Sequence, residues 1–407
     1  MTRLTALPPE LVDEAIDHLW NDIRSLQSCS LVCKAWLPSS RLRLFRTIRL
    51  RKADDCAKLS SIVESSPIIA RCVRKLTVSA EYAGVDRDNQ PVGDDAWVND
   101  ASEVLLKPQS VHTLAISRVR WDSLNAATKA AFISLFKSVK TLLLFEVKFE
   151  ESKDVLYFLS MFPNLNELYF HGVSWARESI PHPSHPPTPT RTSTNGAGTE
   201  RMHLTYLFLD SKSSPTLVTE WLLNHPSEPR LRNIQLCWRD MEDAKSLGDL
   251  LQASGSELES LRVEFPSGLS EEALLQNQLT LAHNTGLRTL HFGGLNITAS
   301  TSRTFLTNRL FPWVVVMLSQ IRSPLLTTVH FELELRTVAD LKALDWVRID
   351  WQLARREFHG LEVWFVVCVN GDEDERVGYD VEKEVRKEIE GSLPGFMQRG
   401  TLRISCY

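Results

Sequence analysis

Two neighbouring stretches, Val139-Lys140-Thr141-Leu142-Leu143-Leu144 and Leu165-Asn166-Glu167-Leu168-Tyr169-Phe170, repeat one six-residue phrase that is apolar at its first, fourth and sixth places. The fourth and sixth places are two residues apart, so in an extended chain both point to one side, while the first packs at the bend leading in. The phrase therefore predicts a short strand with one buried face. It recurs from Val73, Val111, Leu204, Leu231, Leu258 and Leu287 at steps of 26–29 residues, or 38–39 where an insertion intervenes; looser copies start at Leu326 and Phe358. Between phrases lie patterns of helical period, at Ala126 to Phe136, Asp154 to Met161, Pro215 to Leu223, Asp243 to Leu251 and Glu271 to Leu281. One strand and one helix per period predicts an α/β solenoid in which each repeat buries its neighbours' faces.

Length agrees with that reading. The chain has 407 residues, whereas a single core rarely grows past roughly 250–300. With 43% hydrophobic and 24% charged residues it is neither disordered, collagen-like nor coiled-coil. The formal charge is −5. Residues 1–52 hold nine Lys plus Arg against five Asp plus Glu, leaving 37 against 46 in the remainder, an acidic balance that opposes nucleic-acid binding. Seven scattered cysteines without Cys-x-x-Cys spacing fit a reduced compartment. No charged-then-apolar leader precedes the first acidic residues, and the longest apolar run, Leu310 to Leu318, is half of a bilayer span. The expectation is a soluble protein of the cytoplasm and/or nucleus, with no membrane partner.

The phrase and its period resemble a leucine-rich repeat. The asparagine expected after each strand is mostly missing, so the repeats are degenerate. Two interruptions stand out: Gly84 to Asp100, acidic and rich in turn residues, and a Pro/Ser/Thr tract at 180–200, which is expected to be a disordered loop. Beyond Leu325 the repeat blurs, and Val381 to Ile389 predicts a capping helix behind the acidic turn Asp372 to Glu375.

The first fifty residues differ in kind. Pro8 and Pro9 suit the first turn of a helix, Leu11, Ala15, Ile16 and Leu19 recur on one helical face, and Asp22 can cap a second helix carrying Ile23, Leu26, Cys29 and Cys33 on one stripe. Leu7-Pro8-Pro9-Glu10-Leu11, Ile16-Asp17-His18-Leu19 and Cys29-Ser30-Leu31-Val32-Cys33-Lys34-Ala35-Trp36 resemble the F-box family, and the closing Leu37-Pro38-Ser39-Ser40-Arg41 and Leu44-Phe45-Arg46 resemble its fungal members. The resemblance covers residues 4 to about 50. It implies a three-helix F-box over 1–52 that binds the Skp-type adaptor of a cullin–RING ubiquitin ligase, with 53–407 selecting a substrate protein. Carried over by position, the adaptor-facing residues are Leu7, Pro8, Leu11, Ile16, Leu19, Leu26, Leu31, Val32, Cys33 and Trp36. Ala15 departs from the larger aliphatic residue of many relatives.

Candidate substrate-binding residues are the polar and aromatic side chains set between the core places of the phrases: Arg74, His112, Lys140, Tyr169, Arg232, Arg262 and His291. The basic run Arg41, Arg43, Arg46, Arg49, Arg51 and Lys52 reads either as a steering field for an acidic adaptor or as a solvated helix face. No constellation for catalysis, cofactor or metal emerges. His182 and His185 sit among helix-breaking prolines, Arg376 and Gly378 spoil a calcium-loop order around Asp372, Asp374 and Asp380, and no phosphate-binding glycine loop is present. Asn296-Ile297-Thr298 fits a glycosylation acceptor that an intracellular chain would never use, and Thr188 before Pro189 reads as an unmodified surface position ahead of the alternative, a phosphorylation site. The reading is a non-enzymatic substrate receptor of a Skp–cullin–F-box ligase; the alternative is a non-degradative interaction scaffold.

Overall fold

The computed structural model of the chain describes residues 8–85, 91–178, 203–210, 213, 215–224, 230–238, 244–267, 269, 271–276, 279–297, 310–370 and 378–407. The expectations placed on Leu7, the 180–200 tract, Thr188, His182, His185, Thr298 and the acidic turn at 372–375 lie outside the described residues. The chain divides into two compact units, 1–202 and 203–407.

The first unit opens with three short helices, α1 (Pro9–His18), α2 (Ile23–Val32) and α3 (Leu37–Leu44). Pro9 takes the first helical position of α1, where its missing N–H costs nothing. Asp22 caps α2 by accepting from the Ser25 backbone N–H at 3.0 Å. An Asp17–Arg43 ion pair and a Ser39–Asp13 hydrogen bond tie α1 to α3. Ile16 and Leu26, each 1% exposed, are the apolar centre of this head.

The unit continues through β1 (Thr47–Leu50), α4 (Ala53–Ser65), α5 (Ile68–Cys72), β2 (Lys75–Ser79), β3 (Glu81–Val85), β4 (Pro91–Asp94), α6 (Ser102–Leu105), β5 (Thr113–Ser117), α7 (Ala126–Phe136), β6 (Thr141–Phe145), β7 (Lys148–Glu151), α8 (Ser152–Ser160), β8 (Glu167–His171) and β9 (Ser174–Arg177). Strands β1, β2, β5, β6 and β8 form a parallel run in that order. They pair so that equal places of the phrase face each other: Leu76, Leu114, Leu142 and Leu168 in one row, Val78, Ile116, Leu144 and Phe170 in the next. All eight are at most 1% exposed. β1 lies within the stretch 1–52 and pairs with β2, because Phe45-x-x-Ile48-x-Leu50 is itself a copy of the phrase.

The Gly84 to Asp100 interruption is built over its described part. β3 and β4 form an antiparallel hairpin, followed by a 3-10 turn over Ala96–Ala101. Asp95, 2% exposed, accepts from the Arg120 backbone N–H at 2.8 Å and from its guanidinium at 2.7 Å.

The second unit holds β10 (Tyr206–Asp210), α9 (Pro215–Asn224), β11 (Asn233–Cys237), α10 (Ala244–Ser254), β12 (Ser260–Glu264), α11 (Glu271–Gln276), β13 (Thr289–Asn296), α12 (Pro312–Gln320), β14 (Thr328–Leu335), α13 (Trp346–Leu353), β15 (Glu362–Val369), α14 (Gly378–Ser392) and β16 (Thr401–Cys406). These strands are parallel and in chain order. On the buried side Phe292, Phe331 and Phe365 stack across β13, β14 and β15 at 5.2 and 4.7 Å between ring centres, closed over by the fully buried Trp313 of α12. Of the helix expected over Glu271 to Leu281, Glu271–Gln276 is helical and 279–281 is not, and no periodic signal announced β16. Both units are therefore mixed α/β with parallel sheets. No helix among the described residues is long and apolar enough to cross a membrane.

Candidate functional site

Three surfaces gather the residues singled out in the sequence. The first is the helical head. Burial of Ile16 and Leu26 at its centre leaves other apolar side chains of the same short helices in water: Leu11 is 51% exposed, Leu31 86% and Val32 61%. Pro8 and Cys33 are exposed too, while Leu19 and Trp36 are half-buried. Ile16 and Leu26 are thus core residues of the head, with no surface to offer a partner. Sequence reasoning missed two exposed neighbours, Trp20 at 71% and Ile23 at 63%. Ile23 and Leu31 are eight positions apart on α2, a second stripe beside the one through Leu26.

The second surface lies at the strand starts of the first unit. The place after the first apolar residue of each phrase falls just before the strand, and the ladder aligns Arg46, Arg74, His112 and Lys140 there. The Arg74 amide donates to the Arg46 carbonyl at 2.9 Å, His112 to Arg74 at 2.8 Å, and Lys140 to His112 at 2.8 Å. Lys75 sits beside them in the first place of β2. A hollow of about 410 Å³ is lined by Leu42, Arg43, Arg46, Thr47, Arg74, Lys75, His112 and Thr113, with no carboxylate among them. Arg43 is neutralised by Asp17; Arg46, Arg74, Lys75 and Lys140 have no ion-pair partner among the described residues. Burial and then the flanking charges of Arg74 and Lys140 hold the His112 imidazole below its usual range.

The third surface crosses the second unit. Arg262, His291, His330, Trp364 and Arg403 occupy the same register on five consecutive strands. They touch in series: Arg262 to His291 at 3.4 Å, His291 to His330 at 5.3 Å between ring centres, His330 to Trp364 at 5.8 Å, and the Arg403 guanidinium 5.0 Å above the indole. Arg262 also bonds Glu264 at 3.1 Å and Glu332 at 2.6 Å. Gly293 makes room for that pairing, since a Cβ there would stand 2.9 Å from both Arg262 and Glu264. Burial, then Arg262, push the His291 imidazole down to about 4, outweighing the opposing pull of Glu332. Cys237, next to Glu264, is pushed up to about 12 by burial and that carboxylate, so it stays a thiol.

The seven sheet-face candidates are divided between the two units. Arg74, His112 and Lys140 join the basic row; Arg262 and His291 join the ladder of the second unit. Tyr169 projects mid-strand from β8, and Arg232 precedes β11, paired with Glu259 at 3.8 Å. Arg46 was read only as part of the basic run, Lys75, His330, Trp364 and Arg403 were not among the candidates, and it is the strand register that places all five. No family model matches this chain, and no curated protein matches it.

Proposed function

We propose that this chain is the substrate-recognition subunit of a Skp–cullin–F-box type ubiquitin ligase. In this reading its helical head is an F-box that docks a Skp-type adaptor, and the strands that follow are leucine-rich-repeat-like turns of a solenoid whose polar face receives a target protein. The chain itself makes and breaks no bond. It raises the effective concentration of target lysines near the ubiquitin-loaded enzyme.

One observation carries the reading: Leu11, Trp20, Ile23, Leu31 and Val32 stand in water on a head of fewer than forty described residues. Large apolar side chains gathered this densely on small helices fit the groove of a partner better than they fit solvent. Binding of the purified chain to a Skp-type adaptor tests it. Wild type is expected to bind below micromolar, and the Leu31→Ala/Val32→Ala double variant roughly 100-fold more weakly, since burying two such side chains is worth about 3 kcal/mol. Its melting temperature should stay unchanged because both side chains are already in water. A wild-type chain that ignores the adaptor would overturn the proposal and leave the interaction scaffold.

A further inference from the structure

We propose that the basic row Arg46, Arg74, Lys75, His112 and Lys140 is a docking groove for an extended acidic segment of a protein target. This deepens the receptor reading, and rests on it for the claim that the segment belongs to a target.

The charge is concentrated and uncompensated. Four full positive charges stand at the starts of neighbouring strands, none with an ion-pair partner among the described residues; three of them, Arg46, Arg74 and Lys75, line a hollow that holds no carboxylate, and Lys140 continues the row beyond it. The row then stops: the next positions are Asn166 and Glu167, and Glu167 already accepts from the Thr141 hydroxyl at 3.2 Å. A second property selects the shape of the ligand. Neighbouring strands are about 4.8 Å apart, so Arg46 to Lys140, three strand steps, spans about 14 Å. That is the length of about four or five extended residues.

A compact phosphate is the poorer fit. Phosphate cradles converge free backbone N–H groups on one point, and here every such group in the row is already used. The amides of Arg74 and Lys75 both donate to the Arg46 carbonyl, those of His112 and Thr113 to Arg74, and those of Lys140 and Thr141 to His112, at 2.8–3.0 Å. Only long side chains remain, spread along a line. Nucleic acid fits poorly as well, because the lining offers the single imidazole of His112 and no series of aromatic faces on which successive bases could stack. A run of carboxylates matches both the charge and its spacing, and its approach would favour protonation of His112, which the present field of Arg74 and Lys140 disfavours.

The test uses the full chain and a fluorescein-labelled deca-glutamate peptide read by polarisation, with deca-glutamine, inorganic phosphate and a twelve-residue oligo-dT as comparators. Deca-glutamate should bind at micromolar Kd in 50 mM salt, weaken at least tenfold by 300 mM, and tighten as pH falls from 7.5 to 6. Arg74→Ala/Lys140→Ala should weaken it about 30-fold at unchanged melting temperature. Arg348→Ala/Lys383→Ala, the same charge change in the second unit, should leave it within twofold. Deca-glutamate binding no better than deca-glutamine, equal loss in both double variants, tighter binding of oligo-dT, or displacement by millimolar phosphate would each overturn the proposal. The assay contains no adaptor and leaves Leu31 and Val32 untouched, so its failure is distinct from failure of the adaptor reading.

Discussion

The Asp95–Arg120 pair joins two residues whose burial differs sharply: the Asp95 side chain is 1% exposed and the Arg120 side chain 55%. Burial alone would raise the carboxyl, but the Arg120 hydrogen bonds outweigh it and hold Asp95 below its ordinary value. The asymmetry orders two substitutions. Arg120→Ala strands a buried charge and is expected to cost about 3 kcal/mol, whereas Asp95→Ala leaves an arginine that water can reach and should cost about 2 kcal/mol. Urea unfolding of both variants checks the order, and equal losses would contradict it. Because the folded carboxyl is depressed, this contribution is present above the unfolded value near 4 and fades as pH falls through the lower folded one. In the sequence Asp95 is one acid in an interruption rich in turn residues. Nothing local says that a chain partner 25 positions away will bury it.

At the scale of elements, the strands were the most legible feature because alternation is a local property. Leu114-x-Ile116 or Leu261-x-Val263 announces its buried side without any knowledge of neighbours, and those residues are at most 1% exposed. β16 escaped because its phrase begins with Arg399, where an apolar residue was required, and β1 because it follows directly on the helical head. Helix faces were less legible: α2 carries two apolar stripes, and only packing against α3 decides that Leu26 goes in while Ile23 stays out. The ladder on β12 to β16 exists through register alone, and it sets a pH dependence. Folding keeps His291 neutral down to about 4, among Arg262, Glu332 and His330, and burial lowers His330 as well. Between the unfolded histidine value near 6.5 and about 4 the unfolded chain binds more protons, so stability falls as pH drops through that window. His291→Gln should flatten the slope between pH 6.5 and 4 in thermal melts; a slope unchanged by the substitution would contradict this placement of the ring.

For the molecule as a whole, the sequence discloses an α/β chain of repeats with a helical start, and the two units bear out its mixed α/β character with parallel sheets. What one dimension hides is convergence. Arg46, Arg74, His112 and Lys140 are 28 to 38 residues apart, and only an in-register parallel ladder collects them into one field. The same holds for the proposed function, which uses two surfaces: apolar side chains of α1 and α2 for an adaptor, and the cationic row at the strand starts, bordered by α3, for a target. Hydrogen–deuterium exchange of the full chain with and without a Skp-type adaptor separates them most directly. Amides of α1 and α2 are expected to exchange at least about fivefold more slowly in the presence of the adaptor, while those of β2, β5 and β6 stay unchanged. Unchanged exchange throughout the head, or slowing confined to the strands, would contradict that expectation.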